Sequence, residues 1–208
     1  MMKYSVTVLF ILTGLAACGD IDIGIDDYPA NEPFCADCAV SMRYQTLYLE
    51  EELGNAIEIE TISLKRTFQG ETEVTLDTLV IYIGYCDGDE LGNVFADNYR
   101  PGTMTEVVWE ENFTVYAPDP DSWFSINLET PFFYDGSGNL IIEYGWPDGH
   151  GAVFNYNWED DVARSLTAGW DSSTGFTSLG CPHLLLTGSL NLEPITFGAI
   201  KAMGTYTH

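Results

Sequence analysis

Hydrophobic and polar residues alternate in short runs along most of this chain, from Met42 onward. The runs are rich in β-branched and aromatic residues, which favour strands, and several place an apolar residue at every second position. They read RYQTLYLEE, AIEIETISLKR, EVTLDTLVIYIGY, TEVVWE, FTVYA, WFSINLE, NLIIEYGW, AVFNYNW, ARSLTAG and HLLLTGS. Only LYLEEELG has the spacing of a helical turn. The pattern therefore predicts an all-β protein.

Residues typical of tight turns separate these runs. They are Gly54-Asn55, Gly70, Pro101-Gly102, Pro118-Asp119-Pro120, Gly136-Ser137-Gly138 and Asp148-Gly149. About ten short strands at this spacing predict an antiparallel β-sandwich or barrel. The sequence shows no internal repeat and no sign of a second folded domain.

The charge of the chain limits its partners. It has 32 Asp and Glu residues against 7 Lys and Arg residues, a formal net charge of −25. A negative field of this size repels phosphate backbones and anionic headgroups, so a nucleic-acid partner is excluded. The acidic surface favours solubility and cations such as Ca²⁺.

The first residues, MMKYSVTVLFILTGLAAC, have the organisation of a secretion signal. Lys3 is the positive residue, and Val6 to Leu12 form an apolar stretch too short to span a bilayer as a helix. The ending Leu15-Ala16-Ala17-Cys18 resembles the lipobox of bacterial lipoproteins. That resemblance implies a signal peptide over residues 1–17 and a diacylglycerol on Cys18. A multi-chain anchor of this kind holds stably in a membrane.

The segment after Cys18, GDIDIGIDDYPANEP, is rich in Gly, Asp and Pro. We therefore expect residues 18–40 to carry the lipid and form a flexible tether, and residues 41–208 to form the sandwich. Acidic residues at this place resemble the export signals of surface lipoproteins in Bacteroidota-like bacteria. Gly19 rather than Asp follows the cysteine, so the inner-membrane retention pattern is absent. We expect an outer-membrane lipoprotein exposed at the cell surface.

A second resemblance concerns the sandwich. The stretches TLDTLVIYIGY and LETPFFYDGSGNLIIEYGW, followed by RSL, resemble the jelly-roll modules of cleaved adhesins and other Bacteroidota-like surface proteins. The resemblance covers residues 43–170 and implies a jelly-roll-like sandwich. The matching positions are Thr130, Pro131, Phe132, Tyr134, Asp135, Gly136, Asn139, Leu140 and Arg164.

Four cysteines remain once Cys18 is set aside, namely Cys35, Cys38, Cys86 and Cys181. An even number in an exported chain predicts two disulfides, with three connectivities open. The favoured arrangement ties Cys35 and Cys38 across to Cys86 and Cys181. The pair in CADC lacks the helix of a redox motif and the second close pair of a zinc site.

Two loops carry oxygen ligands of the kind that Ca²⁺ prefers. The first, CDGDELGN, offers Asp87, Asp89, Glu90 and Asn93, although Leu91 stands where an EF-hand loop has an oxygen ligand. The second, DGSGN, offers Asp135 and Asn139. A structural Ca²⁺ is the candidate cofactor. The alternatives are a solvated acidic loop for the first and an ordinary turn for the second.

Aromatic residues suggest a platform for stacking on sugar rings. Trp146 and Trp158 flank the turn PDGHG, and Tyr144 lies beside them, although most aromatic residues in a sandwich belong to the core. The three histidines accompany no recognised catalytic motif, and adjacent Glu110 and Glu111 point to opposite faces of a strand. We therefore expect no enzyme.

Three functions stay open on the sequence. The first is a lipid-anchored, non-catalytic sandwich that binds a glycan or a partner protein at the cell surface. The second is a structural or assembly lipoprotein of the envelope with no small ligand. The third is an accessory domain of a secreted hydrolase.

Overall fold

The computed structural model of the protein describes residues 17–190. The predicted signal peptide, except for Ala17, therefore lies outside the described residues. In chain order the elements are β1 (Ala17–Ile23), β2 (Tyr28–Ala30), β3 (Met42–Tyr48), α1 (Glu50–Leu53), β4 (Ile57–Cys86), α2 (Phe95–Asn98), β5 (Thr105–Tyr116), β6 (Trp123–Tyr134), β7 (Asn139–Trp146), β8 (Gly149–Glu159), β9 (Ser165–Ala168), β10 (Phe176–Ser178), β11 (Gly180–Pro182) and β12 (Leu184–Leu190). Neither helix in this range is long and apolar enough to cross a bilayer.

All strand pairs are antiparallel, and they form two layers. The first sheet has the order β1-β12-β4-β6. The second has the order β5-β4-β7-β3-β9-β10. Strand β8 pairs with the middle of β4 and also carries the short strands β2 and β11. The prediction of an all-β, antiparallel, sandwich-like fold is confirmed, whereas its jelly-roll character stays a prediction.

Strand β4 joins the two layers. Its first part, Ile57 to Lys65, pairs with β12 and β6, and its last part, Val80 to Cys86, pairs with β7. The register shifts on both sides of Gly70, whose φ is 76°. The sequence predicted a turn that separates two strands here. The chain bends instead, because glycine accepts positive φ without ending the ladder.

The main core lies between the two layers. Ile57, Ile59 and Ile62 of the first sheet pack in one cluster with Ile142 and Tyr144 of the second. Every residue of β7 is buried, since this central strand is covered on both faces. A smaller cluster on the outer face of the second sheet contains Leu47, Phe95, Tyr99, Ile141 and Leu166. There α2 and its flanking loop cover β3 and β7.

The tether predicted for residues 18–40 is wrong. Strand β1 pairs with β12 from Ala17 to Ile23, and β2 pairs with β8. Ile23 and Phe34 are buried, while Asp20 and Asp22 face solvent. The run DIDI thus alternates with the period of a half-buried strand. An interpretation based on its Asp and Gly content missed this pattern, and the sandwich begins at β1 rather than at residue 41.

The predicted disulfide arrangement is also wrong. Cys35 is bonded to Cys38. Cys86 and Cys181 are free and buried, and they belong to different hydrophobic clusters. A disulfide needs Cα atoms within about 7 Å, a condition that residue counts do not reveal.

Candidate functional site

A polar cleft lies where β2 and β8 face β3, β9 and the segment that leads into β11. Its volume is about 210 Å³. The side chains around it are mostly uncharged hydrogen-bonding groups. The lining residues are Tyr28, Pro29, Ala30, Asn31, Glu32, Tyr44, Asn157, Ser165, Thr167, Ser178 and Gly180.

One wall of the cleft comes from the second sheet. Tyr44 of β3 lies directly opposite Thr167 of β9, and Thr46 lies opposite Ser165. Because side chains alternate along a strand, Tyr44, Ser165 and Thr167 project from the same face. Tyr44 and Ser165 are buried at the base of this wall.

The opposite wall comes from the N-terminal segment. Strand β2 pairs with β8, so that Tyr28 lies opposite Asn157. The Tyr28 hydroxyl reaches over Gly180, where a Cβ atom would lie 2.4 Å from the Tyr28 oxygen. Glycine at this position therefore allows the ring to lie across the cleft.

Two buried asparagines extend the polar lining along β8. Asn155 and Asn157 project inward from alternate positions, and the Asn155 Nδ2 donates to the Asn157 Oδ1 at 2.7 Å. The Asn155 Oδ1 is buried and has no hydrogen-bond partner among the described residues. A buried amide oxygen without a partner is uncommon in native proteins.

The two tyrosine hydroxyls of the cleft stay protonated at neutral pH. Burial raises the pKa of Tyr44 well above its usual value, with the negative charge of Glu32 acting in the same direction. Burial also raises the pKa of Tyr28, and the charge of Glu159 adds to the rise. Both groups therefore offer neutral O–H donors.

The predicted aromatic platform is wrong for two of its three residues. Trp146 and Tyr144 are 0% exposed, because both belong to the central strand β7. The Trp146 Nε1 donates to the Pro33 carbonyl at 2.9 Å, which fixes the indole in the core. Trp158 is half-buried against the guanidinium of Arg164, 5.1 Å from the ring centre. The three rings therefore do not form a shared surface on which a sugar could stack.

The structure brings the two predicted calcium loops together. The Asn139 Nδ2 donates to the Asp89 Oδ1 at 2.9 Å and to the Gly88 carbonyl, also at 2.9 Å. The Asn139 Oδ1 accepts from the Glu50 backbone N–H at 2.8 Å. Asp89, Asn139 and Glu50 line an open cleft of about 750 Å³. The sequence did not indicate that the loops meet.

The other proposed metal ligands make local contacts. The Asp87 carboxylate accepts from the Arg100 Nε at 2.6 Å. Asp135 accepts from the Ser137 backbone and hydroxyl groups, as a turn residue does. Glu90 and Asn93 are exposed. Within residues 17–190, no group of three or more His, Cys, Asp or Glu side chains is arranged to hold a metal ion.

Two buried charged networks support the sheets. The Glu143 carboxylate accepts from the Arg43 Nε at 2.7 Å, the Gln45 Nε2 at 2.6 Å and the Tyr99 hydroxyl at 3.2 Å. The Asn98 Nδ2 donates to the Gln45 Oε1 at 2.9 Å, which ties α2 to the same network. These contacts hold α2 against the outer face of the second sheet.

The second network is centred on Arg164, which is 0% exposed. Its Nε donates to the Leu47 carbonyl at 2.8 Å, and its terminal nitrogens pair with Glu52 and Asp160. Arg164 is one of the positions that match the surface-protein resemblance. Its contacts hold α1 and the end of β8 together, which is a structural role.

No protein-family model, no curated protein and no solved structure shows a significant match to this chain.

The polar cleft was not predicted from the sequence. Tyr28 and Asn31 fell inside the predicted tether, and Tyr44 was interpreted as an ordinary strand residue. One signal was present, because AVFNYNW places Asn155 and Asn157 at inward positions of a strand that alternates with aromatic residues. Polar residues at the strand positions that normally face the core are expected at functional or strained sites.

Proposed function

We propose that this chain is a lipid-anchored protein of the bacterial cell envelope whose non-catalytic β-sandwich binds a glycan in the polar cleft. The anchor rests on the lipobox that ends at Cys18. Cys18 lies at the second position of the edge strand β1, and its side chain is exposed. An exposed thiol at the start of an edge strand is compatible with an attached lipid.

The composition of the cleft carries the binding proposal. The chain has 32 acidic residues, yet among the described residues that line the cleft only Glu32 is charged. Neutral hydroxyl and amide groups from several separate segments converge there. Such groups suit a ligand that is itself uncharged and rich in hydroxyls.

The ring of Tyr28 adds an apolar surface to this polar set. Carbohydrates present hydroxyls at their edges and apolar C–H faces, and so they match a wall that combines a tyrosine ring with Asn, Ser and Thr side chains. The volume of about 210 Å³ fits one sugar residue at the end of a glycan rather than a long chain.

The test is a glycan array probed with the full-length protein, purified in detergent, and with three variants. Thr167→Val and Ser178→Ala each remove one hydroxyl from the cleft. Each is expected to weaken binding about fivefold, which corresponds to one neutral hydrogen bond. Trp109→Ala is the control. Trp109 lies on β5, is 49% exposed and does not line the cleft.

Binding that Thr167→Val and Ser178→Ala weaken, and that Trp109→Ala leaves unchanged, would support the cleft. Loss of binding only in Trp109→Ala would move the site to β5 and overturn the assignment. An array without selective binding would overturn the glycan proposal and favour the structural role in the envelope.

A further inference from the structure

The ring of His183 lies between two carboxylates that come from the N-terminal segment. The His183 Nε2 is 2.7 Å from the Asp22 Oδ1, and the Nδ1 is 2.6 Å from the Asp26 Oδ1. Asp22 belongs to β1, and Asp26 lies in the loop between β1 and β2. His183 joins β11 to β12 and is 6% exposed.

Both contacts are hydrogen bonds only when both ring nitrogens carry hydrogen. A neutral imidazole has one N–H donor and one acceptor nitrogen, and an ionised carboxylate offers only acceptors. Only the imidazolium form can donate to both carboxylates. Charge-assisted hydrogen bonds of this type are about twice as strong as neutral ones.

Other charged and titratable groups complete the surroundings. The Lys65 Nζ of β4 bonds the second oxygen of Asp26. From β8, the carbonyl of Tyr156 accepts from the His183 backbone N–H at 2.8 Å. The Tyr156 hydroxyl donates to Asp121 at 2.7 Å. From β6, the Trp123 ring meets the His183 ring edge-on, with 4.8 Å between their centres.

We infer that His183 is a pH-sensitive latch that holds strand β1 and the following loop against the sandwich and thereby positions the Tyr28 wall of the cleft. The effect on ligand binding rests on the proposed function, whereas the latch itself does not. Residues 24–27 are exposed, so this loop buries little surface that could hold it in place. The contacts of Asp26 with His183 and Lys65 therefore position it.

The latch opens at one defined contact. When the imidazolium loses its proton, one carboxylate faces a nitrogen lone pair and is repelled. Asp26 keeps its bond to Lys65, and its side chain is 34% exposed, whereas that of Asp22 is 61% exposed. Asp22 is therefore released first, and the end of β1 loosens once the imidazolium has lost its proton.

The latch also links the N-terminal segment to the cleft. Asp26 precedes Tyr28 by two residues, so a shift of the loop reaches the cleft wall directly. Gly24 lies close against the Trp158 indole, where a Cβ atom would come within 2.4 Å of the Nε1. Glycine at position 24 therefore allows the loop to pack directly against the indole.

The experiment is hydrogen–deuterium exchange of the β1 amides in the full-length protein without ligand, at about pH 5.5 and about pH 8. After correction for intrinsic rates, β1 of the unaltered protein is expected to exchange about fivefold faster at the higher pH. The lost bond is charge-assisted, but the Asp22 side chain is 61% exposed, so solvent screening reduces its contribution to about that of a neutral bond. His183→Gln and Asp22→Asn are expected to abolish this difference. His150→Gln, on an exposed histidine, is the control and should retain it.

Fluorescence gives a second readout that does not depend on unfolding. An imidazolium in contact with an indole quenches its emission, so Trp123 should brighten as pH rises, and Trp123→Phe should remove the change. Equal protection of β1 at both pH values would overturn the latch, as would an unchanged pH effect in both His183→Gln and Asp22→Asn. Because no ligand is present, these results are independent of the glycan array.

Discussion

The side-chain amide of Asn139 donates a hydrogen bond to the carboxylate of Asp89 at 2.9 Å, across 50 positions of sequence. This bond joins the two loops that the sequence marked as separate calcium candidates. The amide N–H engages one of the two carboxylate oxygens of Asp89. The pairing therefore joins the two loops through a contact that needs no metal ion.

We accordingly expect calcium to have no effect on stability. The melting temperature should agree within about 1 °C in millimolar Ca²⁺ and in EDTA, because Asp87, Asp89 and Asp135 already accept hydrogen bonds from protein groups. Differential scanning calorimetry measures this directly. A rise in melting temperature with Ca²⁺ that Asp89→Asn removes would contradict the expectation and restore the calcium site.

Replacing Glu143 should destabilise the protein strongly. Glu143→Ala leaves Arg43, Gln45 and Tyr99 without their common acceptor, and breaking such a buried pair costs about 3 kcal/mol. Urea unfolding monitored by fluorescence gives the difference. Glu110→Ala changes an exposed residue and should stay within about 0.5 kcal/mol of the unaltered protein. A similar small loss for Glu143→Ala would contradict the role of the network.

The free cysteines of the core should be unreactive in the native state. Burial raises the pKa of Cys181 to about 12, so that about one thiol in ten thousand is ionised at pH 8. Burial also raises the pKa of Cys86. Iodoacetamide followed by mass spectrometry should label both only after denaturation, and Cys35 and Cys38 only after reduction as well. A peptide that links Cys86 or Cys181 to another cysteine would contradict the assignment.

Acid should weaken the attachment of the N-terminal segment at Asp26. Partial burial raises the pKa of this carboxyl, but bonds from Lys65 and His183 outweigh burial and lower the pKa below its usual value. The stabilisation is therefore present above the unfolded-state pKa of about 3.9 and is lost as pH falls through the lower folded value.

Thermal unfolding between about pH 5 and pH 2 tests this linkage. Asp26→Asn should lower the melting temperature at pH 5 and should show a smaller further loss on acidification. Asp119→Asn, on an exposed turn, should follow the unaltered protein. Parallel curves for Asp26→Asn and the unaltered protein would contradict the pKa shift.

Replacement of Cys18 tests the lipid anchor. In a bacterial host that lipidates proteins, the unaltered chain should fractionate with membranes, and Cys18→Ser should be released or retain its signal peptide. Mass spectrometry of the N-terminal peptide should show a diacylglycerol adduct on Cys18. Cys86→Ser keeps the lipobox and should remain in the membrane fraction. An unmodified N-terminus in the unaltered chain would contradict the anchor.

Much of the secondary structure was predictable, because strand alternation is a local property. The run AIEIETISLKR forms the first part of β4, NLIIEYGW forms β7, and LYLEEELG contains the helix α1. The error at residues 18–40 arose where composition was weighed above periodicity. Ile21 and Ile23 in GDIDI already carried the two-residue period of β1.

The candidate site was hardly predictable from the sequence. Tyr28, Tyr44, Asn157 and Thr167 come from four segments, and no spacing in the sequence relates them. The same holds for His183, whose partners Asp26 and Asp22 lie 157 and 161 positions away.

The sequence by itself determined the β-rich character of the chain, most of its turns and its acidic charge, and it carries the lipobox-like ending at Cys18 on which the proposed anchor rests. Only the tertiary structure decided that β1 and β2 of the N-terminal segment join the sheets, that Cys35 bonds Cys38, and that His183 lies between Asp22 and Asp26 near a weakly charged cleft. The physical reason is that periodicity reports which face of a strand is apolar, whereas sheet order and register decide which distant side chains meet.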